Sequence, residues 1–140
     1  MPYFTAPEAL PLEKLDAVVL THSHLDHAGM LPVLFKYGYR GPVYCTPPTR
    51  DLMLLLQTDY IKVGGAEGKR PAYDMEDIRM CMKHVVDVDW GETTDITPDV
   101  KLTFSNAGHI LGSSAVHLHI ADGKHNIVSV SYTHLTLPTK

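Results

Sequence analysis

Residues 21–29 read Thr-His-Ser-His-Leu-Asp-His-Ala-Gly, so three histidines and one aspartate crowd into a single short stretch. Imidazole nitrogen and carboxylate oxygen are the donors that zinc, manganese or iron accept. A solvated loop that happens to be rich in histidine is the plain alternative, but it has no need of four such groups side by side. His22 and His24 are two apart, so they leave an extended backbone on the same side. Asp26 and His27 are adjacent, diverge, and suit a second ion nearby. The spacing fits a two-metal site, with ions roughly 3.5–4 Å apart bridging a water or hydroxide.

A second candidate lies far along the chain. His109 stands among small residues in Asn106-Ala107-Gly108-His109-Ile110-Leu111-Gly112-Ser113-Ser114, just past an alternating apolar run. Such a histidine suits a ligand, and an independent histidine-rich loop strengthens that reading. Gly112 and Ser113 either offer donors to a phosphate or shape the loop. His117 and His119 share one face of a predicted strand and are read as a polar sheet face rather than a metal pair. His84 is read as a surface or packing residue and His125 as solvated.

The elements that must carry these side chains follow from patterning. The apolar run 17–20 predicts a strand leading into the first cluster. A helix is expected from near Ala28 to Tyr37-Gly38, capped by Asp26 or Ser23. Residues 43–46 read as a short strand. Pro47-Pro48 then opens a helix, with Thr49 or Asp51 favouring its N-terminus, and Leu52, Leu55, Leu56 and Tyr60 forming its apolar face to about Val63. Residues 64–71 read as a flexible linker. Their lysine is not followed by Ser or Thr, so they lack the pattern of a phosphate cradle. Asp74, Glu76 and Asp77 open a third helix that turns Ile78, Cys81, Met82 and Val85 toward the core. Residues 100–104, 115–120 and 126–128 alternate or run apolar as strands, with a turn at Asp122-Gly123.

At 140 residues the chain has the size of one small domain, and 44% apolar residues against 20% charged allow it a real core. No apolar run is long enough for a membrane span, and the first ten residues lack the regions of a signal peptide. Cys45 and Cys81 form no paired motif, so free thiols in a reducing cytoplasm are expected. A net charge of −4 does not advertise a nucleic-acid binder and does not exclude one.

The motif His22-x-His24-x-Asp26-His27 matches the signature of the metallo-β-lactamase fold hydrolases. Its flanks, Leu-Thr-His-Ser-His-Leu-Asp-His-Ala-Gly, resemble the β-CASP nucleases, the branch that processes nucleic acids. Three further pieces, over residues 12–128, resemble the same branch: Gly-Pro-Val-Tyr-Cys-Thr-Pro-Pro-Thr-Arg-Asp-Leu, Asp-Tyr-Ile-Lys-Val with the Gly-Lys-Arg-Pro after it, and Asn-Ala-Gly-His-Ile-Leu-Gly-Ser-Ser. The run Pro98-Asp99-Val-Lys-Leu-Thr-Phe and the later His-Leu-His-Ile are similar to archaeal cleavage-and-polyadenylation-factor-like ribonucleases, which carry KH domains.

The resemblance implies an α/β fold, part of an αββα sandwich with mixed sheets and outer helices. It implies that His22, His24 and His109 hold one zinc and Asp26 and His27 a second, with manganese as a substitute. Asp26 would also be catalytic, orienting the attacking water or accepting its proton. The implied full-length protein is a zinc-dependent ribonuclease that cuts RNA in 3′-end formation or transcription termination, with 5′ trimming, as a cytoplasmic homodimer. Its rivals are a thioester or lactam hydrolase on the same fold and a non-catalytic scaffold subunit of an RNA-processing complex. The family's bridging aspartate, expected in a Thr-Gly-Asp after residues 126–128, is not found; the chain reads Ser129-Val-Ser-Tyr instead. Residues 1–128 are therefore expected to be a partial domain lacking the β-CASP region, and 129–140 a non-native tail in which His134 is no ligand. Such a fragment is expected to be inactive.

Overall fold

Neighbouring residues of a strand face opposite sides of its sheet, and two short strands here use both sides for burial. In β1 (Val18–Val19) and the residues beside it, Val18 and Leu20 pack among helices, while Ala17 and Val19 pack toward a second sheet. In β2 (Val43–Cys45), Val43 and Cys45 meet the helices and Tyr44 meets the second sheet. A run apolar on both faces is what a parallel strand covered on both sides requires. The computed structural model describes residues 11–130, and in it β1, β2 and β3 (Val85–Asp87) form a three-stranded parallel sheet in that order.

The second sheet is antiparallel, with β4 (Thr93–Thr97), β5 (Val100–Asn106), β6 (Ser114–Ile120) and β7 (His125–Ser129) side by side. Leu102, Phe104, Val116 and Leu118 line its inner face against Tyr44, Ala17 and Val19. The expected sandwich is present as helices, parallel sheet and antiparallel sheet; each sheet has a single sense rather than a mixed one. Strand β4 carries no apolar alternation and was not expected; its pairing with β5 forms it. Ser129 still pairs with Val116, while residues 131–140 of the expected tail, His134 included, lie outside the described residues, as does the segment 1–10.

Four helices cover the outer side of the parallel sheet. Residues 25–36 form two short helices, α1 (Leu25–Ala28) and α2 (Leu31–Lys36), where one was expected. The cause is Pro32. It has no N–H to give the carbonyl of Ala28 four residues earlier, and its ring crowds that carbonyl. Gln57 supplies the missing donor: its Nε2 donates to the Ala28 oxygen at 2.9 Å, fully buried. Neither expected cap is used. The residue preceding α1 is His24, with no side-chain cap, and the buried Ser23 hydroxyl finds no partner among the described residues.

Gln57 belongs to α3 (Pro47–Ala66), whose buried face is Thr49, Met53 and Gln57. The expected face of Leu52, Leu55, Leu56 and Tyr60 is corrected by this. Leu55 is 63% exposed, and the other three are only half-buried. The helix is rotated because Thr49 and Gln57 make polar contacts that outrank the leucine stripe. It also runs through Gly64-Gly65, expected as linker, and closes with Lys69 N–H on the Gly64 carbonyl at 2.9 Å. In α4 (Met75–Lys83) the acids act as expected. Asp74 Oδ1 accepts from the Asp77 amide and Asp77 Oδ2 from the Asp74 amide, a reciprocal capping box. Ile78 and Cys81 are fully buried, with Met82 and Val85 packed beside them. His84 packs as expected, its ring 5.2 Å from that of Phe35 and its Nδ1 on the Met80 carbonyl.

Removing the Gln57 amide leaves the buried Ala28 carbonyl without a partner. Gln57→Met is expected to cost about 1–3 kcal/mol of stability, read as a lower urea midpoint at unchanged slope.

Candidate metal centre

The two histidine loops meet where strand ends from both sheets come together. His22 and His24 follow the carboxyl end of β1, and His109 follows that of β5, 85 positions from His24. Ring centroids are 4.9 Å apart for His22 and His24, 5.2 Å for His22 and His109, and 5.0 Å for His24 and His109, each pair edge-on. One ring nitrogen from each lies within 4.8 Å of those of the other two. His24 Nδ1 and His109 Nε2 are 3.4 Å apart. Two imidazole nitrogens sharing a tetrahedral zinc at about 2.0–2.1 Å stand roughly 3.3–3.4 Å apart, so this separation suits a shared ion as well as a hydrogen bond between neutral rings.

His22 is 1% exposed, and burial first, then the neighbouring His27, His24 and His109, lowers its pKa to about 4. It is therefore neutral at physiological pH, the form a metal accepts. Its Nδ1 lies 2.9 Å from the Thr21 hydroxyl, and the tautomer that donates Nδ1–H to that oxygen leaves the Nε2 lone pair for a metal. His24 and His109 keep access to solvent.

Asp26 and His27 sit on the single turn of α1 beside this triangle. The His27 ring is 4.3 Å from that of His22, and its Nε2 is 3.5 Å from Asp26 Oδ2. Both side chains are exposed, and their donor atoms do not join the convergent group. Four histidines and one carboxylate thus lie together, three of the five converging on one point. This donor set, with its buried member held neutral, fits a divalent metal.

The His109 loop holds its own shape. Asn106 Oδ1 accepts from the Gly108 amide at 2.9 Å, and Ser113 Oγ accepts from the amides of His109 and Ile110, each at 3.1 Å. Ser113 is fully buried, so of its two readings the loop-shaping one fits. The loop docks through Gly112. Its φ is +81°, and a Cβ there would stand 2.8 Å from the Thr49 nitrogen. Two buried threonines, Thr46 and Thr49, surround its carbonyl. From sequence Thr49 takes a place at the start of α3 and Thr46 the end of a strand, and neither has a part in the site.

His117 and His119 lie on the outer face of the antiparallel sheet, rings 3.8 Å apart. His117 meets Asn126 Oδ1 and His119 meets Thr103 Oγ1, which is the polar face expected. His125 is exposed at the start of β7. Cys45 and Cys81 are free thiols in one core cluster, and burial pushes both up to about 12, leaving them protonated. Among the described residues no helix is long and apolar enough to cross a membrane.

A parallel sheet covered by helices, an antiparallel sheet stacked on it and a histidine cluster at their shared end together define a layered α/β protein with a candidate metal centre. The model of the metallo-β-lactamase superfamily domain matches residues 5–136, and the chain belongs to that superfamily. More particularly, it is similar to archaeal proteins named transcription termination factor FttA. It is 60% identical to that of Methanosarcina mazei over 127 residues, which cover 91% of this chain and 20% of the relative. Identity is 57% to that of Methanocaldococcus jannaschii over 126 residues (90% and 20%) and 55% to that of Pyrococcus abyssi over 130 residues (90% and 20%). The chain thus spans about a fifth of the length of the curated relatives it matches.

Because the folded state keeps His22 neutral down to about pH 4, the unfolded chain binds that proton first as pH falls below the ordinary value of about 6.5. The metal-free chain is expected to lose stability between about pH 6.5 and about pH 4, and His22→Asn to flatten that segment of the urea-midpoint profile. Gly112→Ala, combining a left-handed φ with a collision on α3, is expected to cost at least about 1–3 kcal/mol.

Proposed function

We propose that this chain is the metal-binding portion of a zinc-dependent ribonuclease that cuts RNA in transcription termination or 3′-end formation. The observation that carries the reading is the meeting of His22, His24 and His109, from loops 85 positions apart, beside Asp26 and His27. The relatives' name, transcription termination factor, supports a role in termination; RNA as the substrate and a cytoplasmic setting belong to the proposal. The flanks of the first motif favour this substrate over a thioester or lactam.

In this reading His22, His24 and His109 hold one zinc, and Asp26 and His27 a second. Bound ions of this kind supply Lewis acidity at the scissile phosphate and lower the pKa of water enough to provide a nucleophile at neutral pH. His22 contributes a lone pair that its neutral state keeps available. His24 and His109, open to solvent, border the face where a phosphate enters. Asp26 is the group assigned to orient the attacking water and take its proton. Its exposed carboxylate lies 3.5 Å from His27 Nε2.

Two measurements test this. In a protein of the relatives' length, Asp26→Asn is expected to lower RNA cleavage by roughly 10²–10⁴-fold, with no hydrolysis of a thioester by the parent. The 140-residue chain purified alone is expected to carry substoichiometric zinc, because among the described residues three donors converge and those of Asp26 and His27 do not join them. Two tightly held equivalents by elemental analysis would contradict this, and undiminished cleavage by the Asp26 variant would remove Asp26 from the chemistry.

A further inference from the structure

The loop that carries His109 is shaped from within by Asn106 and Ser113. Two ties join it to the end of the parallel sheet and bear on its distance from His22 and His24. One tie is main-chain, the Ser114 amide on the Thr21 carbonyl at 2.8 Å. The other is the Gly112 carbonyl. Thr46 Oγ1 reaches it at 2.6 Å, Thr49 Oγ1 at 3.0 Å, and Ser114 Oγ at 3.2 Å, with Thr46 and Thr49 2.9 Å apart.

The chemistry of α3's first turn explains why these hydroxyls are available. Thr46 occupies the residue before the helix, where a threonine ordinarily accepts from an amide of the first turn. Here it makes no such bond. Pro48 has no N–H, so of the second and third amides of the helix that a cap would serve only that of Thr49 exists. Thr46 instead donates outward, and Thr49, three residues on, faces the same oxygen. A carbonyl oxygen accepts two hydrogen bonds and each hydroxyl donates one. Three hydroxyls therefore share its two acceptor sites: Thr46 and Thr49 reach it from the first turn of α3, directly or with Thr46 donating through Thr49, and Ser114 reaches it from the loop's own strand. The threonines are buried, and they are the side-chain donors that tie Gly112 to the parallel-sheet side.

We infer that Thr46 and Thr49 are positioning residues of the metal centre, holding the Gly112 carbonyl so that His109 reaches the ion bound by His22 and His24. This rests on the reading of the three histidines as one metal site. Neither threonine touches the ion. They act through Gly112, three residues beyond His109, and loss of their hydroxyls loosens the third ligand while leaving the first two in place.

The test titrates the 140-residue chain with Co²⁺ alone and follows its visible ligand-field absorption, which reports donor set and coordination number. The parent is expected to give a band that His109→Ala alters. The Thr46→Val/Thr49→Val variant, with far-UV circular dichroism like the parent's, is expected to bind roughly 10–100-fold more weakly with a spectrum shifted toward that of His109→Ala. Thr46→Ser/Thr49→Ser, which keeps the hydroxyls, is expected to restore the parent's affinity and band. Parent-like affinity and spectrum in the folded valine variant would overturn the inference, as would a serine variant as weak as the valine one. Should the double valine variant fail to fold, Thr49→Val alone is read by the same measures. A parent whose cobalt spectrum ignores His109→Ala would instead sink the metal-site reading itself, a failure visible before any threonine is changed.

Discussion

The site depends on one join: a carbonyl from the antiparallel sheet's loop seated on the first turn of a helix that grows out of the parallel sheet. Two sheets packed face to face through Tyr44, Leu102, Phe104 and Val116 are held by apolar contact, which is non-directional. In the proposed metal site the imidazoles need a fixed relative position. The directional bonds from Thr46 and Thr49 to Gly112, and from Ser114 to Thr21, supply direction at that join. Gly112 is the residue on which this rests, because its backbone conformation and its clearance from Thr49 both exclude a side chain.

A second organising constraint is a defect that the fold repairs. Pro32 breaks the helix after the histidine motif and orphans the Ala28 carbonyl, and Gln57 crosses from α3 to satisfy it. The repair ties α1, which bears Asp26 and His27, to the same helix that seats Gly112. One helix therefore references both histidine loops. Its polar inner face, Thr49 and Gln57 around Met53, is the consequence, and its leucines turn outward as the geometric remainder.

Crowding four histidines has an electrostatic cost that burial converts into an advantage. His22, out of water and beside His27, His24 and His109, is held neutral far below the pH where a free histidine would charge. The same arrangement would be unstable around a lysine or arginine. It is stable around neutral nitrogen donors, which is the state a divalent cation selects.

Much of this was legible in the sequence. The histidine motif, the His109 loop, the strands at 43–45, 100–106 and 114–120, the acidic start of α4 and the free thiols follow from local residue types, and local rules govern them. The chemistry at residues 22–27 follows from side-chain identity alone. The join at Gly112, the division of the helix at Gly29-Met30, the rotation of α3 and the strand at Thr93–Thr97 come from partners far away in sequence. In sequence Thr46 closes a short strand, and Gln57 falls outside the expected apolar face of its helix. Only when the chain is folded does it become clear that one donates across the sheets and the other mends a broken helix, because hydrogen-bond satisfaction of a buried group is a property of its surroundings and not of its neighbours in the chain.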